Sequence, residues 1–122
     1  MRAAKKGFTF AELLIVVVVL GILAAIAIAK FSKMKEESFV ASMKADLRNL
    51  AVYQMNYYID SKGFFFSGDG SAHGFVATPG VTVASTAVPG PPASWSATAT
   101  HARTSRACTM TTTGSNWDIA CP

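Results

Sequence analysis

Apolar residues dominate the start of the chain and then give way to a mixed pattern. Residues 13–29 contain no charged or strongly polar side chain, and the apolar stretch can be followed back to Phe8. A helix over 8–29 would cross a hydrocarbon core of about 30 Å, because each helical residue adds about 1.5 Å. The pattern therefore predicts a membrane-spanning helix at 8–29.

A second helical pattern continues directly from the first. Residues 30–60 contain neither proline nor glycine. We predict that 30–62 is an amphipathic continuation of the same helix, with Gly63 able to take a left-handed cap just beyond its end. Spacings of three, four and seven place one set of side chains on a common helical face: Phe39, Met43, Leu47, Leu50, Gln54 and Tyr57.

Beyond Gly63 the pattern changes to short runs rich in Val, Thr, Trp and Ser, separated by Gly- and Pro-containing connections. Short connections favour an antiparallel meander, and its apolar face needs a partner, which the helix face around Leu47 can provide. We therefore predict an α+β fold, in which the long helix packs against a small antiparallel sheet within 63–122. The predicted strands are 81–86, 95–101, 108–112 and 117–121.

The positive charge lies mostly at the very start of the chain. The formal net charge is +4, with 11 basic and 7 acidic residues, and three of the basic residues precede residue 8. Basic residues before a span hold its start on the cytoplasmic side of the membrane. They are Arg2, Lys5 and Lys6. Since the rest of the chain is nearly balanced in charge, we expect no specific nucleic-acid partner.

Two cysteines, Cys108 and Cys121, occur near the end of the chain without a histidine pair at zinc-ligand spacing. A disulfide would suit a small domain in an oxidising compartment. The alternative is a pair of buried free thiols. We expect no metal and no cofactor, and we expect the protein not to be an enzyme, because no Ser/His/Asp or Cys/His arrangement has a catalytic setting. Asp60 and Asp69 are only a weak indication of a calcium-binding site.

The N-terminal residues resemble a known family. The basic residues, Gly7, Phe8, the sequence Thr-Phe-Ala, Glu12 and the apolar run are similar to the class III signal peptide and first helix of type IV prepilins and related pseudopilins. The resemblance implies that residues 1–7 are a leader, that a prepilin peptidase cuts between Gly7 and Phe8, and that the new Phe8 amine is N-methylated. It also implies a pilin-like fold. Ala29 stands where many major pilins have proline, so a helix bend associated with that position loses its usual cause.

Glu12 is a lone carboxylate at the start of an apolar span. An ionised carboxylate at the centre of a bilayer costs at least about 2.5 kcal/mol, so a partner is expected. The resemblance implies that Glu12 pairs with the Phe8 amine of a neighbouring subunit during filament growth. A simpler role is stabilisation of the helix N-terminus through its dipole, and both roles can hold.

The sequence thus favours a structural subunit of a type IV pilus, serving adhesion, motility, DNA uptake or a related task. Its expected partners are further copies in a helical filament, the prepilin peptidase, the inner-membrane assembly platform and the membrane itself. The subunit would reside in the inner membrane as a single-pass protein and then enter an extracellular pilus. One alternative is a pseudopilin of a type II secretion system, in a periplasmic pseudopilus. Another is a conventionally secreted small binding domain, since 25–27 and 27–29 resemble signal-peptidase sites.

Overall fold

The computed structural model describes residues 7–113 and 116–122, so the basic residues of the predicted leader, Arg2, Lys5 and Lys6, lie outside the described part of the chain. Its contacts divide the chain into two units, with the boundary between Lys35 and Glu36. The elements in chain order are α1 (Phe10–Asp60), a short 3₁₀ helix (Ser71–His73), β1 (Val81–Val88), β2 (Ser94–His101), β3 (Ala107–Thr113) and β4 (Asn116–Ala120).

Helix α1 is continuous, as the sequence predicts, and neither Gly21 nor Ala29 interrupts it. It ends through a left-handed turn. The Gly63 N–H donates to the Tyr58 carbonyl at 2.9 Å, which is the Schellman pattern of a helix C-terminus. The residue that first adopts the left-handed conformation is Lys62, with φ of 62°, and Gly63 follows with φ of 106°. The cap therefore begins one residue earlier than the glycine suggests.

The four strands form one antiparallel sheet in the order β1-β2-β3-β4, so the predicted meander is confirmed. In β1 and β2 every second residue is buried, which is the alternation of a sheet with one covered face. The opposite face is exposed and carries almost no charge among the described residues. Its exposed members are Thr82, Ala84, Thr86, Ser96, Thr98, Thr100, Thr109, Thr111, Asp118 and Ala120.

The core lies between the second half of α1 and the covered face of the sheet, giving the predicted α+β arrangement. Met43, Leu47 and Leu50 are fully buried, whereas Phe39 and Tyr57 of the same predicted face are half-buried. The sheet and the preceding loop supply the rest of the core: Phe66, Phe75, Val81, Val83, Trp95, Ala97, Ala99, Cys108 and Met110. Val40 also belongs to the core, although the sequence pattern did not single it out.

Two buried polar side chains of α1 hold the loop between helix and sheet. The Asp46 carboxylate accepts the Thr78 N–H at 2.8 Å and the Thr78 hydroxyl at 2.9 Å. The Gln54 amide pairs with the backbone of Phe66. Because buried polar groups are costly unless they are hydrogen-bonded, these contacts fix the loop onto the helix.

Candidate processing and assembly site

The predicted processing site lies just before α1, and Thr9 is the capping residue that precedes the first helical residue. The Thr9 carbonyl accepts the first helical hydrogen bond, from the Leu13 N–H at 3.2 Å. The Thr9 hydroxyl accepts the Glu12 N–H at 3.2 Å, and the Thr9 N–H donates to Glu12 Oε2 at 2.9 Å. These reciprocal bonds form a capping box, in which two otherwise unpartnered N–H groups of the helix end are satisfied.

The capping box gives Glu12 a definite intramolecular role. Its carboxylate receives one backbone N–H and lies in the first turn, where the helix dipole favours negative charge. The simpler of the two roles expected for Glu12 therefore has a geometric basis. The sequence carries the signal for this box as Thr-x-x-Glu over residues 9–12, in addition to the position of Glu12 near the helix dipole.

Gly7 and Phe8 lie before the helix and are exposed, Phe8 with 88% of its surface accessible. A Cβ atom added to Gly7 would meet nothing within 4 Å, and Gly7 does not have a positive φ. The fold of this chain therefore sets no requirement for glycine at position 7. A requirement for glycine there would have to come from a molecule that acts on the chain.

The first unit has the surface of a membrane segment. Among the described residues, α1 is the one helix that is long and apolar enough to cross a membrane by length and composition, with a window of mean hydropathy 3.0. No residue in that window is buried within the chain, and its large aliphatic side chains are about half exposed or more. An apolar surface of this extent needs lipid or protein around it.

At the other end of the chain, Cys108 and Cys121 are joined by a disulfide, as predicted. The pairing of β3 with β4 places Thr109 opposite Ala120, which brings the two cysteines together with a Cα–Cα distance of 4.2 Å. Arg106 adds a clamp that the sequence did not reveal. Its guanidinium donates to the Cys121 and Pro122 carbonyls, both at 3.1 Å.

The remaining candidate ligand residues have local roles. The hydroxyl and N–H of Ser71 donate to Asp69 Oδ1 at 2.7 and 3.0 Å, and these hydrogen bonds lower the pKa of the Asp69 carboxyl. His101 stacks on Phe39 with a centroid distance of 4.3 Å, and His73 contacts Phe66 at the same distance. Within residues 7–113 and 116–122, no three His, Cys, Asp or Glu side chains lie close enough together to hold a metal ion.

Comparison with known proteins defines the class of the N-terminal segment. Residues 2–28 match the family described as the prokaryotic N-terminal methylation motif. The matched stretch includes Gly7, Phe8, Thr9 and Glu12 and most of the predicted membrane span. The basic N-terminal residues, the glycine before Phe8 and the apolar helix thus follow the pattern of prepilin-like sequences.

The chain is also similar to the type IV major pilin protein PilA of Myxococcus xanthus (strain DK1622), with 43% identity over 53 residues. The aligned segment is 43% of this chain and 24% of the relative, so it spans about a quarter of the length of that curated protein. No solved structure matches the chain. The resemblance to type IV pilins is therefore confirmed, and it is accompanied by a pilin-like arrangement of helix and sheet.

Proposed function

We propose that this protein is a structural subunit of a type IV pilus, made as a prepilin and polymerised through α1. The observation that carries the proposal is the match of residues 2–28 to the N-terminal methylation motif, on a helix whose first half is exposed and apolar. A prepilin peptidase cuts between Gly7 and Phe8 at the cytoplasmic face. The Phe8 amine is then methylated, and the assembly platform moves the subunit from the membrane into the filament.

Glu12 sets the register between subunits in this proposal. Cleavage creates a positive amine on Phe8, one residue before the capping box. Glu12 Oε2 is engaged by the Thr9 N–H, and Glu12 Oε1 makes no hydrogen bond to the described residues. That second oxygen can accept a hydrogen bond from the Phe8 amine of a neighbouring copy. Pairing the two charges in an apolar filament core lowers the cost of burying each of them.

The proposal is tested on the native protein and on the Glu12→Ala variant. Mass spectrometry of sheared filaments should find a mature chain that begins at Phe8 with an N-methylated amine. Glu12→Ala should be inserted and cleaved normally but should form few filaments, because the Phe8 amine then lacks its partner. A mature start within 27–30 would indicate conventional secretion and contradict the proposal. A normal filament yield from Glu12→Ala would contradict the pairing of Glu12 with Phe8.

A pseudopilin of a type II secretion system is the second candidate. The observation that favours it is Ala29, which stands where many major pilins have proline, within a helix that runs without a break. The disulfide between Cys108 and Cys121 favours the pilus, because such bonds staple the last strands of pilin heads. The two candidates differ in where the polymer lies. Surface filaments that are lost when the gene is deleted indicate a pilus, whereas impaired export of enzymes without surface filaments indicates a pseudopilus.

A further inference from the structure

The second unit leaves one side of α1 uncovered. Val52, Met55 and Ile59 follow each other at spacings of three and four on this side, and their exposed fractions are 59%, 56% and 68%. They lie on the helix surface that does not contact the sheet, whose partners on α1 are Met43, Leu47 and Leu50. A helix with apolar side chains on both sides is typical of a helix that is covered on both sides.

A groove of about 280 Å³ borders this uncovered surface. One wall is α1, with Arg48, Val52 and Met55, and the other is formed by Trp117 of β4 with Trp95 and Phe65 beneath it. Trp95 is only 5% exposed and forms the floor, whereas Trp117 is 53% exposed and forms the rim. An apolar groove with an aromatic rim is suited to the side chains of an amphipathic or apolar helix.

We infer that this groove receives the apolar first half of α1, residues 10–29, from a second copy of the chain. The inference rests on the proposed function and names the subunit contact through which the head covers a neighbouring span. Once a subunit leaves the bilayer, the exposed side chains of its span need a new apolar surface. Among the described residues of the second unit, the surface formed by Val52, Met55 and Trp117 offers one.

Charge supports the same occupant. Arg48 is the charged residue among those that line the groove, and Glu12 is the charged side chain within 8–29. In the mature chain the Phe8 amine balances Glu12, so the span has no net charge, and the approach of the two surfaces is not opposed by like charges. The contact is heterologous, since a groove on one copy receives a different segment of the next. Heterologous contacts that do not close into a ring generate helical polymers.

The chain carries two tryptophans, which makes burial of the groove measurable. In a Trp95→Phe variant, Trp117 is the single fluorophore. Its emission should shift to shorter wavelength, and its quenching by acrylamide should fall several-fold, when detergent-dispersed subunits are compared with filaments. The Trp117→Phe variant is the matched control, because the buried Trp95 should report little change. If Trp95→Phe fails to fold, the emission of Trp117 is obtained by subtracting the spectrum of Trp117→Phe from that of the native protein. Equal quenching of Trp117 in both states would overturn the inference.

A photo-crosslinking amino acid at position 117 identifies the occupant. Filaments grown from mixed isotope-labelled and unlabelled copies distinguish crosslinks between subunits from those within one. Crosslinks from position 117 to peptides within 8–29 of another copy are expected. Crosslinks to another head, to lipid or to a different protein would overturn the inference.

A charge placed in the groove separates this inference from the proposed function. Met55→Glu should lower filament yield by about tenfold or more, because the contact would bury a carboxylate against the apolar side chains of the neighbouring span. Thr98→Glu, on the exposed face of the sheet, should assemble normally. Normal filaments from Met55→Glu, together with loss of filaments from Glu12→Ala, would overturn the groove contact and leave the proposed function standing. The absence of filaments from the native chain would overturn both.

Discussion

The side-chain amide of Gln54 pairs with both the backbone N–H and the backbone carbonyl of Phe66. The Phe66 N–H donates to Gln54 Oε1 at 3.0 Å, and Gln54 Nε2 donates to the Phe66 carbonyl at 2.8 Å. A side chain of α1 thus takes the place of a neighbouring strand for one residue of the loop. The Ser85 hydroxyl accepts a hydrogen bond from Gln54 Nε2 at 3.3 Å and donates to the Gly68 carbonyl at 2.9 Å, which links the helix, the loop and β1 at a buried point.

Replacing Gln54 by leucine should destabilise the second unit strongly. The change puts an apolar side chain of similar size in place of the amide and leaves the Phe66 N–H without a partner, at a cost of about 1–3 kcal/mol. Denaturant titration of the full-length protein in detergent, followed by tryptophan fluorescence, measures the loss. Asn56→Leu is the control, because Asn56 is an exposed amide on the same helix. Equal midpoints for the two variants would contradict the structural role of the pair.

Gly7→Val should block maturation without disturbing the fold. In the described part of the chain a Cβ at position 7 meets nothing within 4 Å, so we expect the effect to arise in the peptidase, where a residue without a Cβ lets the backbone approach the catalytic groups. Immunoblots of membranes should show the unprocessed form accumulating. Gly21→Ala is the matched control, since a Cβ there also meets nothing within 4 Å, and this variant should be cleaved normally. Normal cleavage of Gly7→Val would show that the peptidase does not require glycine at position 7.

Thr9→Val should loosen the first turn of α1. It removes the hydroxyl that accepts the Glu12 N–H, and loss of a helix cap costs about 0.5–2 kcal/mol. Amide hydrogen exchange at Glu12 should then become faster by about 2- to 30-fold in detergent-solubilised protein, since each 1.36 kcal/mol is about a factor of ten. Thr9→Ser keeps the acceptor and should preserve the native protection. If the two variants exchange equally, the hydroxyl is not the element that holds this turn.

Cys121→Ala should lower the stability of the second unit. The disulfide spans a sequence separation of 13, and a loop of this size is worth about 3 kcal/mol in the chain-entropy estimate. Since domains are typically stable by about 5–15 kcal/mol, we expect a lower melting temperature and less subunit in the cell, with normal processing at Gly7. Reduction of the native protein serves as the control, because it should reproduce the loss. An unchanged melting temperature after both treatments would exclude a stabilising role.

Local periodicity was sufficient to predict α1 and all four strands. The spacing of Met43, Leu47 and Leu50 identifies a helix face, and alternation identifies the strands, because both signals depend on near neighbours in sequence. The partners of the disulfide could also be predicted from the sequence, since the chain has only two cysteines. The meander order followed from the short connections between the strands.

Polar contacts between distant segments could not be predicted in the same way. Asp46 is buried because Thr78, 32 residues away, supplies two donors, and spacing along the helix carries no information about that partner. Gln54 was in register with the apolar face, which hinted at burial but not at its pairing with Phe66. Lys62 takes the left-handed cap position beside a glycine, and sequence favours the glycine because a Cβ penalises that conformation.

The disulfide between Cys108 and Cys121 also decides what a protease can remove. A single cut within residues 109–120 would open the backbone but leave the two pieces covalently joined. Arg106 would still hold the carbonyls of Cys121 and Pro122. A subunit nicked there would keep its strand β4 attached and would migrate as an intact chain until it was reduced. In an oxidising environment, a cut within this segment therefore does not release the C-terminal residues from the protein.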